Sequence, residues 1–383
     1  MSDVVIAGVG QIAVGEHWDM SLRSLAHGAI KAAMADSPEI LPEAVYVGNF
    51  LGSMVSHQSN LGSLIMTNSS LGHLESYTVE AAGASGAAAL RQAYMAVRSG
   101  YVKSALALGV EKVTDRPNHV IEEFVIQGAD YDYESQAGLS AVAQAGLLMQ
   151  RYMHEFNVEH DVFAAFPIIA HSNGKKNPNA MYRRSIDHET YLRAAEVSAP
   201  LNRYDIAPYA DGAAAVIVTG TDQLDKNSTM PVRISGSSVV TDALALHDRK
   251  DMLAFHAANI SVGRASNQAG INPHEVDLFE LDDAFSIYAV LSLEAAGLAK
   301  RGEGWKLALN GKLNIDGEMP INTMGGSKAR GNPLGATGLY QIVEAVQQLR
   351  GFAGENQVKN AEKALVQSLG GPAATVITHI LEK

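Results

Sequence analysis

A run of small residues between Val79 and Leu90 constrains this chain more than any other feature. The segment reads VEAAGASGAAAL, follows the β-type residues 76–79, and opens a helical pattern that ends at Ser99-Gly100. Small residues let two backbones approach closely, so this helix is predicted to be central and surrounded by sheet. Backbone N–H groups from Gly83 to Gly86 would offer donors to an oxyanion or a phosphate. The sequence therefore places the chemistry here, although Gly83 has no side chain with which to perform it.

Composition restricts the class of protein. The 383 residues are 47% hydrophobic and 18% charged, which is enough apolar material for a large core. A formal net charge of −12 argues against general binding to nucleic acid or to a membrane surface. No apolar run approaches the roughly 20 residues that span a bilayer, and the chain opens on a strand-like run rather than a charged leader. We expect a soluble, cytoplasmic protein with no nucleic-acid or membrane partner.

The chain contains no cysteine. This absence excludes disulfides, thiolate metal sites, iron–sulfur clusters and any cysteine nucleophile. The histidines do not follow a metal-binding spacing such as H-x-x-x-H, so we predict no metal site.

Strand-like runs and helical patterns alternate through the first half of the chain, which predicts α/β layering. Residues 112–205 interrupt this alternation with two helical stretches and a polar, basic loop at 171–184. The second half then repeats the first, and residues 332–338 open a helix as residues 83–86 do. This similarity predicts duplication of one α/β unit, with two central helices and a site between the halves. The predicted divisions are 1–111 with 206–228, an inserted region at 112–205, and 229–383.

Four stretches, in order along the whole chain, resemble the thiolase superfamily. They are VEAAGASGAAALRQA at 79–93, YADGAAAVIV at 209–218, ELDDAF at 280–285 with GGSKARGNPLGATG at 325–338, and SLGGPAATVITHIL at 368–381. The similarity is strongest toward the archaeal acetoacetyl-CoA thiolases and the sterol-carrier-protein type. It implies a duplicated, five-layered α/β/α/β/α fold with an inserted loop domain, usually dimeric, that binds acyl-CoA and makes or breaks C–C bonds.

Each catalytic position implied by this resemblance carries a different residue here. The cysteine that takes the acyl group corresponds to Gly83, which cannot be acylated, and Ser85 points about 200° away around the helix. The histidine of a G-H-P motif corresponds to Asn332, which can donate an N–H to an oxyanion but cannot act as a base near neutral pH. The first residue of an H-D-x-F or N-E-x-F motif corresponds to Asp282. An ionised Asp282 would repel an oxyanion unless its pKa is raised.

Other positions of the resemblance carry substituted side chains or contribute only backbone groups. Asp283 is predicted to cap the following helix rather than to share a proton with its neighbour. Ser368 stands where many thiolases have a second catalytic cysteine, and Ala210 stands where the family commonly has a serine facing the pantetheine arm. Backbone donors on the glycine-rich turn at Gly370 and Gly371 do not depend on side chains, so a pocket for a thioester oxygen can survive.

The basic loop contains Arg183 and Arg184, which lie where the family's insertion meets the adenine nucleotide phosphates. Composition alone favours a solvated loop, but the resemblance favours a phosphate clamp. Coenzyme A or an acyl-CoA is therefore the expected ligand, with no permanently bound cofactor. Tyr288 and Tyr340 are further candidates for chemistry, although packing within the core is the favoured interpretation of both.

Three functions remain open. The favoured one is an acyl-CoA-binding or complex-scaffold protein that has lost the covalent machinery. The second is a non-covalent C–C lyase, an aldolase, which needs only a base and an oxyanion hole. The third is an ordinary acetoacetyl-CoA thiolase, which overall similarity favours and the residues oppose. The resemblance also implies a homodimer, and a complex with a small zinc-ribbon/OB-fold protein and a thiolase or HMG-CoA synthase-like subunit.

Overall fold

A computed structural model describes residues 2–67, 69, 71–224 and 230–383. Nine of its strands form one mixed sheet, and two short strands pair separately. The strands are β1 (Val4–Gln11), β2 (Ala44–Gly48), β3 (Glu75–Val79), β4 (Ser104–Glu111), β5 (Glu196–Ser198), β6 (Leu201–Asn202), β7 (Gly212–Gly220), β8 (Val232–Thr241), β9 (Leu278–Glu280), β10 (Lys363–Gly370) and β11 (Thr375–Glu382).

The helices begin and end at residues suited to these positions. Ser21 and Ser140 accept N–H bonds at the starts of α1 and α6, and glycines in the left-handed region end α9 and α12. The α-helices are α1 (Leu22–Asp36), α2 (Gly52–Val55), α3 (Leu61–Met66), α4 (Ser85–Arg98), α5 (Asn118–Val125), α6 (Ala141–Phe156), α7 (Ala165–Gly174), α8 (His188–Leu192), α9 (His256–Ala269), α10 (Ser286–Ala295), α11 (Gly304–Leu309) and α12 (Thr337–Arg350).

The strand order reveals the predicted duplication. The order is β3-β2-β4-β7-β1-β8-β11-β10-β9, so β1 and β8 meet in the middle and the two halves run outward in matching sequence. The pairing directions also match: β2 is parallel to β4 as β9 is to β10, and β4 is antiparallel to β7 as β10 is to β11. A single parallel bridge from Ile321 to Phe279 stands where β3 pairs with β2 in the first half. The chain therefore contains two copies of one α/β unit.

Five layers follow from how the helices pack. Helix α1 covers one face of the first half-sheet, α4 and α12 lie between the two half-sheets, and α9 with α10 covers the second half-sheet. Along β2, Val45 and Val47 face α1, whereas Ala44 and Tyr46 face the central helices. Strands buried on both faces read as continuous apolar runs, which is why β4 and β7 are almost entirely hydrophobic. The five-layered fold is confirmed.

Small residues let the two central helices meet. A Cβ atom added to Gly86 would lie 2.9 Å from the carbonyl oxygen of Gly335, and one added to Gly338 would lie 2.7 Å from the amide nitrogen of Ala87. No real side chain tolerates such contacts, so both helices require glycine where they cross. The prediction that the 79–90 segment opens a central, closely packed helix is therefore correct.

Some element boundaries differ from the sequence predictions. From the sequence pattern we expect helices over residues 61–71 and 251–269, whereas the first ends at Met66 and the second begins at His256, after Phe255 in a left-handed conformation. Helices α5, α8 and α11 were not predicted. The domain boundaries at 111/112 and 205/206 stay predictions, and the boundary at 228/229 lies outside the described residues. Within the described part of the chain, no helix has the length and apolar character needed to cross a membrane.

Candidate active site

A cleft opens where the central helices begin. The short turn at Ala82–Ala84 leads into α4, and the matching turn at Leu334–Ala336 leads into α12, so both helix N-termini approach the cleft. The empty volume of the cleft is about 750 Å³, and part of this volume is continuous with solvent. Apolar side chains form most of its wall. The polar and glycine positions in its lining are Gly83, Gly128, Gln144, Tyr209, Asp282, Tyr288, Asn332, Thr337 and Gly371.

Gly83 lines this cleft, as predicted for the nucleophile position, but the space for a side chain is closed. A Cβ atom added to Gly83 would lie 2.7 Å from the carbonyl oxygen of Leu369 in β10. This is shorter than real Cβ contacts, so the backbone of β10 occupies the volume that a cysteine would need. Ser85 points away, as predicted, because its hydroxyl donates to the carbonyl of Ala82 at 2.6 Å and accepts from the N–H of Ala81. Neither residue supplies a nucleophile.

Asp282 supplies an ionisable group to the cleft. Its carboxylate accepts N–H bonds from Ala284, at 3.0 Å, and from Leu369. Burial raises the pKa of Asp282 to about 6, the charge of Asp283 acts in the same direction, and the two N–H bonds oppose them. The carboxyl group therefore exchanges its proton near neutral pH, which is the property required of a general base.

Asp283 corrects a sequence prediction. It does not cap the following helix, since α10 begins at Ser286 with Phe285 as its N-cap residue. Its buried carboxylate instead accepts the N–H of Ser327 at 2.7 Å, and burial raises its pKa while the charge of Lys328 opposes that rise. Asp282 and Asp283 thus face different surroundings, since neighbouring residues in extended backbone point to opposite sides.

Asn332 lines the cleft through a side chain fixed at one end. Its Oδ1 accepts the N–H of Leu334 at 3.1 Å and the hydroxyl of Thr337 at 2.9 Å. These two donors assign the oxygen to the start of α12 and leave the amide N–H₂ group for the cleft. The predicted role of Asn332, donation to an oxyanion, is compatible with this orientation, and the role itself stays a prediction.

The sequence reasoning missed Tyr209. Its hydroxyl donates to Glu122 of α5, and the ring lines the cleft. Burial and the charge of Glu122 raise the pKa of Tyr209, so the phenol stays protonated at physiological pH. Burial also raises the pKa of Glu122, whose second oxygen has no partner among the described residues. The only sequence signal was that Tyr209 is the first residue of the YADG motif.

The two tyrosines considered from sequence have different roles. Tyr340 donates to the backbone carbonyls of Ile12, at 2.7 Å, and Ala213, at 3.0 Å, so it is a packing residue as predicted. Tyr288 packs edge-on against Phe255 and Phe285 but also lines the cleft. Burial and the nearby charge of Asp282 raise the pKa of Tyr288, which keeps its hydroxyl protonated. The purely structural interpretation of Tyr288 was therefore incomplete.

Ser368 and Ala210 lie outside the cleft lining. The hydroxyl of Ser368 donates to Gln341 of α12 at 2.6 Å, and the side chain is buried between β10 and α12. Ala210 is fully buried, and its N–H donates to the carbonyl of Asn332 at 3.1 Å. On the glycine-rich turn, Gly371 lines the cleft, while Gly370 lies against the carbonyl of Ala81, 2.6 Å from where its Cβ would be. Ser368 thus lies outside the cleft, and a catalytic role for it stays a prediction.

The basic loop is anchored but its arginines are exposed. Backbone hydrogen bonds join Met181 to Arg330 and Tyr182 to Ala329, and they fix the loop against the segment before Asn332. Arg183 and Arg184 extend into solvent and are not part of the cleft lining. The structure leaves both guanidinium groups accessible to an anionic ligand, so phosphate binding stays a prediction. No cluster of three or more potential metal ligands occurs in the part of the chain that the structure describes.

The arrangement can perform acid–base chemistry but not acyl transfer through an enzyme thioester. It combines a carboxyl that titrates near neutrality, an amide donor, and two tyrosine hydroxyls that stay protonated. These groups can take a proton from a substrate and stabilise an oxyanion, and none of them requires a covalent intermediate.

Comparison with known proteins identifies the family. Residues 4–222 match the thiolase N-terminal domain family, and residues 238–383 match the thiolase C-terminal domain-like family. An acetyl-CoA acetyltransferase of Methanothermobacter thermautotrophicus is 36% identical over the full length of both chains. The benzoylsuccinyl-CoA thiolase subunit BbsB of Thauera aromatica is 30% identical, over 96% of this chain and 94% of its own.

Solved structures resemble the fold at lower identity. The Ltp2-ChsH2(DUF35) aldolase has a TM-score of 0.85 at 23% identity, with 99% of this chain and 97% of that chain covered. A monomeric SCP2-thiolase-like protein type 1 from Mycobacterium smegmatis has a TM-score of 0.76 at 21% identity, with 100% and 78% covered. The motifs, the duplicated five-layered fold and the full-length similarity together place this chain in the thiolase superfamily.

Proposed function

We propose that this protein is a non-covalent C–C lyase, an aldolase that acts on a 3-hydroxyacyl-CoA thioester. The observation that carries the proposal is the combination of a closed nucleophile position at Gly83 with a carboxyl group in the same cleft, Asp282, whose pKa is about 6. Other buried carboxyls, such as Glu111, also have a raised pKa, but Asp282 is the one that lines the cleft.

The reaction is balanced without an oxidant, a reductant or water. A base takes the proton of the 3-hydroxyl group, the bond between C2 and C3 breaks, and C3 leaves as an aldehyde or ketone. The electron pair of the broken bond moves onto the thioester as an enolate. Protonation at C2 then gives the shortened acyl-CoA. The enolate oxygen needs hydrogen-bond donors, and the hydroxyl needs a base of pKa near 7.

The residues of the cleft match these requirements. Asp282 serves as the base that takes the hydroxyl proton. The amide N–H₂ of Asn332 serves as a donor to the enolate oxygen, since its carbonyl end is held by Leu334 and Thr337. The proton that Asp282 takes from the hydroxyl group is the one that it returns to C2, and Tyr288, whose hydroxyl stays protonated, serves as a second hydrogen-bond donor to the enolate oxygen. The largely apolar wall favours an acyl group with an apolar chain.

Coenzyme A is the proposed carrier of the acyl group. Arg183 and Arg184 are accessible cations on an anchored loop and are suited to phosphate groups. The turn at Gly370 and Gly371, of which Gly371 lines the cleft, is the proposed position of the thioester end of the pantetheine arm, and Ala210 stands one residue beyond the cleft-lining Tyr209. The relatives named acetyl-CoA acetyltransferase support the same carrier.

Two other functions are alternatives to the lyase. An acyl-CoA-binding or scaffold role is favoured by the loss of the nucleophile at Gly83, and it predicts binding without any chemistry. An ordinary acetoacetyl-CoA thiolase is favoured by the names of the full-length relatives. It requires an acylated residue, which Gly83 cannot provide.

The proposed partners rest on a similar solved structure, on the sequence resemblance and on one exposed strand. The aldolase with the similar fold is named as a complex with a DUF35 protein, which supports the predicted small zinc-ribbon/OB-fold partner for this chain. A thiolase or HMG-CoA synthase-like partner rests on the sequence resemblance alone. A homodimer is supported by β3, an exposed strand that forms one edge of the sheet in the described part of the chain. A cytoplasmic location is proposed from composition.

Deuterium exchange into acetyl-CoA tests the proposal without knowledge of the full substrate. An enolate-forming enzyme should exchange the C2 hydrogens of acetyl-CoA in D₂O, measured by mass spectrometry, and the Asp282→Asn variant should lose that exchange. The matched control is Asp316→Asn, an exposed aspartate, which should exchange as the wild type does. A panel of 3-hydroxyacyl-CoA esters with apolar chains should then be cleaved to acetyl-CoA and a carbonyl compound.

Each result separates the alternatives. Binding of acetyl-CoA by calorimetry with no exchange and no cleavage would refute the lyase and leave the binding or scaffold role. Thiolysis of acetoacetyl-CoA by a sample free of contaminating thiolase would establish the third function instead. Exchange that persists in Asp282→Asn would remove Asp282 from the role of base.

A further inference from the structure

Gln144 is a buried polar side chain of the cleft wall that the proposed reaction does not use. It lies on α6, one turn after Ala141, and both residues line the cleft. Only 2% of Gln144 is exposed, and its Nε2 donates to Oε1 of Glu134 at 3.1 Å. Within the part of the chain that the structure describes, no hydrogen-bond donor contacts the other end of this amide, the carbonyl oxygen Oε1.

The orientation of the Gln144 amide is set by Glu134. The carboxylate of Glu134 also accepts the N–H of Leu246 at 3.1 Å through Oε1, and the N–H of Asp130 at 3.1 Å through Oε2. Because a carboxylate only accepts, the Gln144 group that meets it is the amide N–H₂, and the carbonyl oxygen points away from Glu134. The backbone of Gln144 is also held, since its N–H donates to the carbonyl of Ser140 at 2.9 Å.

The unpartnered oxygen of Gln144 faces the cleft. It is not sealed inside the protein, as the unpartnered Oε1 of Gln367 is, so the small exposed part of the Gln144 side chain includes this oxygen. The space that the side chain lines is the cleft, whose wall is mostly apolar and includes Val125 and Phe285. A fixed acceptor in an apolar wall requires a hydrogen-bond donor once a ligand excludes water from it.

We propose that Gln144 is a specificity-determining residue that accepts a hydrogen bond from a hydroxyl group on the acyl chain, at C4 or beyond. The C3 hydroxyl of the proposed substrate has one proton, and that proton goes to Asp282, so the donor for Gln144 is a second hydroxyl. The substrate class is a 3-hydroxyacyl-CoA whose largely apolar chain carries this further hydroxyl. This inference deepens the proposed function, and it rests on that proposal for the carrier and for the role of Asp282.

The carbonyl oxygen of Gln144 should discriminate against chains without the hydroxyl. A purely apolar chain would cover this oxygen and leave it without water and without a donor. Sites built around a hydrogen bond reject the analogue that lacks it for this reason. From the cost of one buried polar group left unpartnered, we expect the apolar chain to bind about 10- to 100-fold more weakly than the chain with the hydroxyl.

Calorimetry with unreactive CoA thioethers tests this inference. The probes are S-hexyl-CoA and its 4-, 5- and 6-hydroxy derivatives, which have no thioester carbonyl and no C3 hydroxyl, so they cannot be cleaved. The full-length wild type should bind at least one hydroxy derivative about 10- to 100-fold more tightly than S-hexyl-CoA. Gln144→Met keeps the length of the side chain but has no amide, and it should bind the whole series with similar affinity.

Two further variants separate the carbonyl oxygen from the rest of the side chain. Glu134→Gln replaces the carboxylate by an amide with which Gln144 can pair in either orientation, so the preference for the hydroxy derivative should decrease. The matched control is Gln150→Met, which changes an exposed glutamine on the same helix and should keep the wild-type preference.

Equal affinity of the wild type for S-hexyl-CoA and every hydroxy derivative would overturn the inference, and so would a preference that persists in Gln144→Met. A loss of affinity in Gln144→Met that is the same for all probes would place the oxygen against the pantetheine arm and would also overturn it. If Gln144→Met does not fold, an unchanged preference in Glu134→Gln overturns the inference on its own.

The outcomes also separate this inference from the proposed reaction. Failure of every probe to bind would refute the proposed carrier and the role of Gln144 together. A preference for the hydroxyl without deuterium exchange into acetyl-CoA would refute the lyase alone and leave recognition by Gln144 intact. Deuterium exchange without any preference for the hydroxyl would refute the role of Gln144 and leave the lyase.

Discussion

Replacing Gly83 by alanine should destabilise the protein, contrary to the usual effect of that change near a helix. The added Cβ would lie 2.7 Å from the carbonyl oxygen of Leu369, about half an ångström closer than van der Waals contact allows. Leu369 cannot move alone, because it pairs with Val376 of the neighbouring strand and donates its N–H to Asp282. Gly83 itself has no positive φ, so the contact, not the backbone conformation, is the obstacle.

The magnitude follows from two opposing effects. Overpacking of this kind typically costs about 1–3 kcal/mol. Restricting the unfolded chain by the change from glycine to alanine returns about 0.4–1 kcal/mol. The free energy of unfolding should therefore fall by about 1.3 kcal/mol at the midpoint of these ranges in Gly83→Ala, and by at least as much in Gly83→Cys, whose side chain is larger.

Urea unfolding followed by circular dichroism measures this change. Gly263→Ala is the matched control, since Gly263 lies in α9 with no atom within 4 Å of an added Cβ, and this substitution should stabilise the protein by about 1 kcal/mol. Gly83→Ala at or above wild-type stability would refute the reasoning. Gly83→Cys should also fail to restore thiolysis, because Asn332 cannot take the proton of the thiol.

Three further predictions concern charge and hydrogen bonding. Asp282→Asn should be more stable than the wild type above about pH 6, by up to about 3 kcal/mol in urea unfolding. The reason is that the pKa of Asp282 is raised from 3.8 to about 6 in the folded state, so the wild type loses stability as the pH rises through this range. Below pH 4 the gain should vanish. Tyr209→Phe should cost about 1–3 kcal/mol by leaving Glu122 without its donor, and adding Glu122→Gln should recover part of the loss in a double-mutant cycle. Replacing Arg183 and Arg184 together by glutamine should weaken CoA binding about 10-fold or more in calorimetry and reduce its dependence on salt, and unchanged affinity would exclude the phosphate clamp.

Much of the fold was predictable because its causes are local or repetitive. Close approach of α4 and α12 requires residues without side chains, and glycines such as Gly86 and Gly338 record that requirement in the sequence. Strands buried on both faces appear as continuous apolar runs, and the repeated order of strands and helices reveals the duplication. The short helices α5 and α8 were missed because they have too few turns to give a clear period.

The site was predictable only where a motif marked it. Asp282, Asn332 and Gly83 were found by position, and all three line the cleft. Tyr209 and Glu122 are 87 residues apart, so nothing in the sequence indicates that they share a hydrogen bond. The environment of Asp283 was mistaken for the same reason: its partner, the N–H of Ser327, comes from a distant segment. Sequence neighbours indicate which way a side chain points but not what it meets there.

Leu369 joins two of the altered positions into one structural unit. Its carbonyl oxygen fills the space beside Gly83, and its N–H donates to the carboxylate of Asp282. A side chain at position 83 that displaces Leu369 therefore also withdraws a hydrogen bond that favours the ionised form of Asp282. The pKa of Asp282 should then rise above 6, and a smaller fraction of this carboxyl should be ionised and able to accept a proton at neutral pH. The closed space at Gly83 and the ionised state of Asp282 thus both depend on Leu369. Placing a nucleophile at position 83 would therefore weaken the base at Asp282.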